Sequence, residues 1–361
     1  MRGMKGFTVA AALLLATVTG HAQDLQVVAE VERGPGNLTV TAGKRLIVSL
    51  HQFYEPEWAV AEWVGGRLRP FPTRAIATGE DPRLKLDTVL GVQADREGIV
   101  WMLDNAMRGG GTPKLVGWDL AGSAPYRVVP LDDVAPDNAF LNDLAVDRKR
   151  ERAYIADPAG GDNAALIVVD LISGESRRVL EGHESVTPED VDLVIDGTPV
   201  RIKQPDGSVI RPRVGVNPIA LDADNEWLYF GPMHGRSLYR IRAEALADPK
   251  TPQEALADGV ERYADKPLCD GISIDRDGNI YISDVAGHAV GVIGPDRQYR
   301  RLVQDPLLSW PDAFSFGPDG WLYTVANQLH RSAVLNGGES AVEPPFRVLR
   351  MEPVAPGLPG R

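Results

Sequence analysis

The stretch Gly271-Ile272-Ser273-Ile274-Asp275-Arg276-Asp277-Gly278-Asn279-Ile280-Tyr281-Ile282-Ser283-Asp284 sets the reading of the whole chain. Apolar side chains alternate on either side of an Asp-Gly turn, the pattern of a β-hairpin. The same unit recurs. Leu144-Ala145-Val146-Asp147 leads to Ala153-Tyr154-Ile155-Ala156-Asp157, and Ile219-Ala220-Leu221-Asp222 to Trp227-Leu228-Tyr229-Phe230. Phe314-Ser315-Phe316-Gly317 precedes Trp321-Leu322-Tyr323, and Val92-Gln93-Ala94-Asp95 precedes Ile99-Val100-Trp101-Met102. The weakest copy is Leu38-Thr39-Val40-Thr41 with Leu46-Ile47-Val48.

The residues that close each first strand are Thr41, Asp95, Asp147, Asp222, Asp275 and Gly317, with one long step between Asp147 and Asp222. The ordinary step holds four short strands, and second hairpins are legible at 165–180 and 289–303. Four antiparallel strands repeated six times predict an all-β, six-bladed β-propeller. A sandwich with a second domain would not produce six hairpins in one register. The strand near Val27 to Val31 is expected to pair with the last blade near Phe346 to Met351, which hides sheet edges. Residues 243–247 and 252–258 read as short surface helices. The long step predicts an inserted hairpin region around 181–214, in which Leu193-Val194-Ile195 meets Val200-Arg201-Ile202 across Asp196-Gly197, followed by a turn at Asp206-Gly207. It is placed to cover one face or to decorate the edge.

The 361 residues carry 38 basic and 50 acidic side chains, a net charge of −12. Nothing basic enough for nucleic acid is present, so no nucleic-acid partner is expected. A single cysteine leaves no internal disulfide and no CxxC site. Residues 1–22 combine Arg2 and Lys5, an apolar run from Phe7 to Val18 and Gly20-His21-Ala22, the three parts of a cleaved signal peptide. The apolar run is too short to cross a bilayer core of ~30 Å. The expectation is a secreted or periplasmic protein without membrane association after cleavage, and one propeller domain over 23–361.

Residues in one register of successive blades sit at one height around the central channel. Five positions before each anchor stand Asn142, Asn217, Asp270 and Asp312, with Leu90 in blade two and Gly36, next to Asn37, in blade one. Two carboxylates and two amide oxygens suit a hard divalent cation, Ca²⁺ first. The same residue types also cap tight loops. His51, Arg108, His234, Arg236, His288 and His330 fall in loops on the face where the first strands begin. Of these, His51, His234 and Arg236 are candidate ligand contacts. Phe140 and Trp310, two before Asn142 and Asp312, are a candidate aromatic wall for a small molecule. Asp270 with His288 and His330 forms the candidate catalytic group. Asp104, Asp157 and Asp284, at the ends of second strands, read as turn stabilisers. No nucleotide cofactor is expected: the run Gly109-Gly110-Gly111 near Lys114 lacks the phosphate-loop spacing.

The segments Phe140-Leu141-Asn142-Asp143-Leu144-Ala145-Val146-Asp147, 153–157, 165–171, 176–180 and Gly215-Val216-Asn217-Pro218-Ile219-Ala220-Leu221 with Trp227-Leu228-Tyr229-Phe230-Gly231 resemble the yellow/major royal jelly protein family. That resemblance implies an exported six-bladed propeller with a ligand site in the central channel, an amine binder or a dopachrome-type isomerase. A more distant similarity is to gluconolactonase and regucalcin-type propellers, which implies a divalent cation held by one Glu, two Asn and one Asp. Asn142, Asn217 and Asp270 fall on the two Asn and the Asp, while Gly36-Asn37 stands where the Glu belongs. Three functions follow as expectations: a metal-assisted lactone hydrolase, a non-catalytic binder of a small aromatic or amine ligand, and an isomerase.

Overall fold

In the computed structural model, residues 24–78, 84–109, 111–204 and 206–361 are described. Residues 1–22, read above as a signal peptide, lie outside them. Six four-stranded antiparallel sheets form among the described residues, the six-bladed propeller the repeat predicts. Each blade runs from an inner strand beside the channel to an outer strand. The inner strands are Pro35–Val40, Val89–Ala94, Leu144–Asp147, Val216–Leu221, Cys269–Ile274 and Pro311–Phe316. The short helices lie at Ala243–Ala247 and Gln253–Asp258. No described helix is long and apolar enough to cross a membrane.

The ring closes through the first strand. Gln26–Val31 pairs antiparallel with Phe346–Met351, from Gln26 opposite Arg350 to Val31 opposite Phe346. The sixth blade thus joins both ends of the described chain, and its outer edge is supplied by residues more than 300 positions away. Across the seam, Ser315 Oγ accepts from Val40 N–H at 3.0 Å.

The anchor aspartates explain why the repeat carries them. Asp275 Oδ1 accepts the N–H groups of Asp277 and Asn279, while Oδ2 accepts from the Tyr281 hydroxyl at 2.9 Å. Asp95 does the same for Glu97, Ile99 and the Trp101 indole. One carboxylate therefore ties the hairpin turn and the aromatic of the second strand. The core divides into clusters between neighbouring blades, such as Trp101 and Leu103 with Val146 and Ile155. Tyr281 and Phe316 meet edge to face at 5.7 Å between blades five and six. Fully burying a side chain of that size is worth roughly 2–3 kcal/mol, so such contacts hold neighbouring blades together.

Asp104, Asp157 and Asp284 hold loops, as expected. Asp104 accepts from Asp87 N–H, Thr88 N–H and the buried Lys114 ammonium at 2.7 Å. Asp157 pairs with Arg178 at 2.6 Å and Asp284 with Arg301 at 2.8 Å.

The inserted region forms two small hairpins, the first turning at Asp196-Gly197 as expected but with its strand pairing shifted. Val194–Ile195 pairs with Thr198–Pro199 and Val200 N–H donates to Leu193 O at 2.9 Å, so of 200–202 only Val200 meets its expected strand, and Ile202–Lys203 pairs with Val209–Ile210. Asp196 and Gly197 both take positive φ, 51° and 78°, and this two-residue reversal consumes only Thr198 and Pro199 on the return. Leu193, Ile195 and Val200 then pack with Met233, Leu268, Val285, Trp310 and Leu329. The insertion is a cap seated on the channel face.

Candidate functional site

Five of the six inner strands break register at one position, and the sixth starts there. In blade five Cys269 lies opposite Asp284 and Ile272 opposite Ile282, so Asp270 and Gly271 share the single partner Ser283. The Ser283 hydroxyl accepts both of their N–H groups, at 3.0 and 2.9 Å. Equivalent irregularities leave Gly36-Asn37, Leu90-Gly91, Asn217-Pro218 and Asp312-Ala313 two-against-one. In blade three Asn142 N–H donates to Ala156 O and Asp143 O accepts from Ala156 N–H, the same count. A bulge aims two successive residues where a regular strand aims one. In blades one and three the second residue of the pair, Asn37 and Asp143, thus joins the lining of the channel mouth.

Small residues at the second position let neighbouring blades close up. A Cβ on Gly271 would stand 2.5 Å from Asp312 O, and one on Gly91 would stand 2.7 Å from Asn142 O. Gly91 N–H donates to that Asn142 carbonyl at 2.8 Å.

The floor is acidic and linked by amides. Asn217 Nδ2 donates to Asp270 Oδ1, and the Trp310 indole donates to Asp270 Oδ2 at 2.6 Å. Asn327 Nδ2 donates to Asp312 Oδ2 at 2.8 Å. Asn37 Nδ2 donates to Asp143 Oδ1 at 2.6 Å. Asn217 is 2% exposed and its Oδ1 has no partner. Burial, aided by the Asp270 charge, pushes Asp143 up to about 8. Burial raises Asp270 to about 6, against the indole and amide bonds that favour its ionised form. Asp312 is raised well above the usual range by burial and by both neighbouring aspartates. Buried carboxyls whose charges bear on one another resist ionising together.

Above this floor is a cavity of about 480 Å³. Its lining includes Asn142, Asn217, Asp270, Asp312, Phe140, Trp310, His51 and His234, so eight of the expected site residues converge on one space. Phe53, Met233 and Leu329 add apolar wall, and Leu193, Val200, Ile202 and Ile210 of the insertion form the roof. Trp310 holds φ at 58°, a left-handed backbone that costs a bulky residue on the order of 1–3 kcal/mol. This conformation directs the indole N–H to Asp270.

The two lining histidines are set alike. His51 Nδ1 accepts from Phe53 N–H, and His234 Nδ1 accepts from Val214 N–H, both at 3.2 Å. Burial lowers His51 to about 3 and His234 to about 4, so both are neutral at neutral pH with the proton on Nε2.

His288, His330 and Arg236 are placed elsewhere. Neither His288 nor His330 lines the large cavity. His330 lies behind Trp310, stacked on its ring at 6.0 Å and 9°. The αL residue Gln328 and the 3-10 turn Leu329–Arg331 carry it there. His288 Nε2 contacts Asp196 at 3.0 and 3.1 Å, pinning the first inserted hairpin. The expected grouping of Asp270 with these two histidines is therefore not assembled, because the Trp310 ring separates them. Arg236 is exposed, and its backbone N–H donates to Glu189 at 2.9 Å.

Asp143 is the floor residue that sequence reasoning passed over. The register count took one residue per blade, and the bulge supplies two. The dipeptide Asn142-Asp143 and the polar Asn37 beside Gly36 carried the signal.

A six-bladed propeller with a capped, acid-floored pocket at one channel mouth is the class that fold and site define. The model of the major royal jelly protein family matches residues 88–336, and the chain belongs to this family. No curated protein matches it. Among solved structures, the chain is similar to a luciferin-regenerating enzyme at 13% identity and a TM-score of 0.57, covering 94% of this chain and 98% of that one. It is also similar to a gluconolactonase from Xanthomonas campestris at 13% identity and a TM-score of 0.55, covering 91% and 89%. A putative glucose dehydrogenase from Thermus thermophilus shows 14% identity and a TM-score of 0.55, covering 91% and 99%. At such identities these likenesses establish the propeller fold.

Proposed function

We propose that this chain is an exported small-molecule binder whose central pocket takes an organic cation with an apolar or aromatic body. The observation that carries this reading is the convergence of Asp143, Asp270 and Asp312 on the floor of a pocket whose walls are largely apolar. A positive group set there stabilises the ionised form of carboxyls that burial, first of all, keeps protonated. Asn217 Oδ1 offers it a further acceptor, and Trp310, Phe140 and Phe53 offer ring faces to its body. The leader-like stretch at 1–22 supports export.

The test is calorimetric titration with 2-phenylethylamine as probe. Binding tightens as pH rises from about 6 to about 8, the span set by Asp270 and Asp143, with protons released on binding. Asp270→Asn and Asp312→Asn each weaken it about tenfold or more. Affinity that ignores pH and both substitutions would sink the reading.

The second reading is a metal-assisted lactone hydrolase, favoured by the open Asn217 Oδ1 beside Asp270. Asn142, Asn217, Asp270 and Asp312 would hold the ion, Ca²⁺ first, and the ion would polarise the lactone carbonyl. The donor set fits an ion only in part. Among the described residues no three His, Cys, Asp or Glu side chains are gathered to ligate one, and both Asp270 oxygens already accept N–H bonds. Gluconolactone turnover that a chelator abolishes would favour this reading over the binder. Turnover of a dopachrome analogue without metal would instead favour the isomerase.

A further inference from the structure

The pocket has a donor wall as well as an acidic floor. His234 is 1% exposed, lines the cavity, and its Nε2 has no partner. Its Nδ1 already accepts the Val214 N–H, so Nε2 bears the proton as a neutral donor. A buried N–H left unpaired forfeits its bond to water, and an acceptor on a ligand would restore it.

Arg211 and Arg213 line the same cavity from the inserted region. The Arg211 guanidinium rests on Asp190, whose side chain is 86% exposed, with Asp192 at 3.9 Å. Arg213 lies 3.4 Å from Asp162, also 86% exposed. Ion pairs to such solvated carboxylates hold the arginines weakly, so either can exchange its partner for a ligand anion. Arg211 is near enough to His234 for its charge to bear on the ring.

We infer that His234 Nε2–H and the Arg211 guanidinium form an oxyanion corner that receives a carboxylate, with Arg213 adding positive charge at the rim. Combined with the floor reading, on which this bipolar picture rests, the site takes a molecule with an ammonium at one end and a carboxylate at the other. A wall of N–H donors and a floor of carboxyls in one cavity suit the two ends of such a molecule.

Three probes separate the two ends: 2-phenylethylamine, 4-(2-aminoethyl)benzoate and 4-ethylbenzoate, titrated calorimetrically at neutral pH. The aminoethyl benzoate is expected to bind about tenfold tighter than the plain amine. Arg211→Gln removes that gain without weakening 2-phenylethylamine, from whose ammonium it takes away a like charge. His234→Phe removes part of it, and a thermal melt of each variant checks that it folds. If the plain amine binds and the carboxylate adds nothing, or adds a gain that both variants keep, the corner is overturned and the floor reading stands. If 4-ethylbenzoate binds and Arg211→Gln weakens it while no amine binds, the corner stands and the floor reading falls. Failure of all three probes overturns both.

Discussion

Asn37 and Asp143 meet at the channel mouth, with Nδ2 of Asn37 donating to Oδ1 of Asp143 over 2.6 Å although 106 positions separate them. Asn37 stands on the inner strand of blade one, and Asp143 just before that of blade three. Both are the second residue of a bulge pair, and Gly91, at the same point of blade two, has no side chain to stand between them. The amide favours the ionised form of a carboxyl that burial otherwise drives towards protonation.

Replacing Asn37 therefore shifts the floor. Asn37→Ala removes the N–H donor and raises Asp143 further above its present value of about 8. Carbon-detected NMR titration of the aspartate carboxyls reads this directly. An unchanged or lowered Asp143 midpoint would show that the hydrogen bond does not govern it.

The floor carboxyls also set a pH dependence of stability. An unfolded Asp titrates near 3.9, on the order of the free value, whereas Asp270 titrates at about 6 and Asp143 at about 8 in the fold. Between those limits the folded chain keeps protons that the unfolded chain has released, so stability falls as pH rises from about 4 to about 8. Asp143→Asn removes the penalty and raises Tm by roughly 2 °C or more at the alkaline end. At the acid end the variant melts like the parent protein. A difference that does not grow with pH would count against the raised carboxyl.

Trp310 ties the floor to the wall through its N–H bond to Asp270 at 2.6 Å. Trp310→Phe keeps most of the ring but deletes a donor to a charged group, at a cost of about 1.5–3 kcal/mol. Because that bond lowers Asp270, the variant also moves Asp270 to higher pH. Urea unfolding and carboxyl titration together check both outcomes, and loss of stability without the titration shift would reduce Trp310 to a packing role.

Gly271 tests the bulge itself. A methyl group at this position meets the Asp312 carbonyl at 2.5 Å, and backbone cannot yield as a side chain can. Gly271→Ala is expected to cost about 1–3 kcal/mol and to weaken any floor ligand, because blades five and six must part. Gly278→Ala, whose Cβ meets nothing within 4 Å but whose φ is +79°, is the matched control: strained backbone, intact ligand affinity.

His288 fastens the cap. Its Nε2 contacts to Asp196, at 3.0 and 3.1 Å, bridge 92 positions. His288→Ala should raise hydrogen exchange in 193–203 by about tenfold or more, while the blade cores keep their protection. Unchanged exchange would mean that the apolar contacts of Leu193, Ile195 and Val200 hold the cap without help.

Much of the architecture was legible because its signals are local. Alternation, an Asp at the strand end and a Gly in the turn are properties of a dozen consecutive residues, and their sixfold recurrence implies a ring. The ring in turn put Asn142, Asn217, Asp270 and Asp312 at one height, as the cavity lining has them. The pairing of 26–31 with 346–351 followed from the need to hide an edge.

What tertiary structure alone decided depends on where chains pass one another. No local pattern announces that the inner strands bulge, yet the extra residue brings Asp143, with Asn37 beside it, to the floor. Nor does spacing tell that a left-handed Trp310 stands between Asp270 and His330, or that Asp196 of the insertion takes His288. Register along a strand is written in the sequence, because side-chain alternation is a backbone property. The meeting of residues from different blades is fixed by packing across the ring, where burial and charge from distant segments are summed.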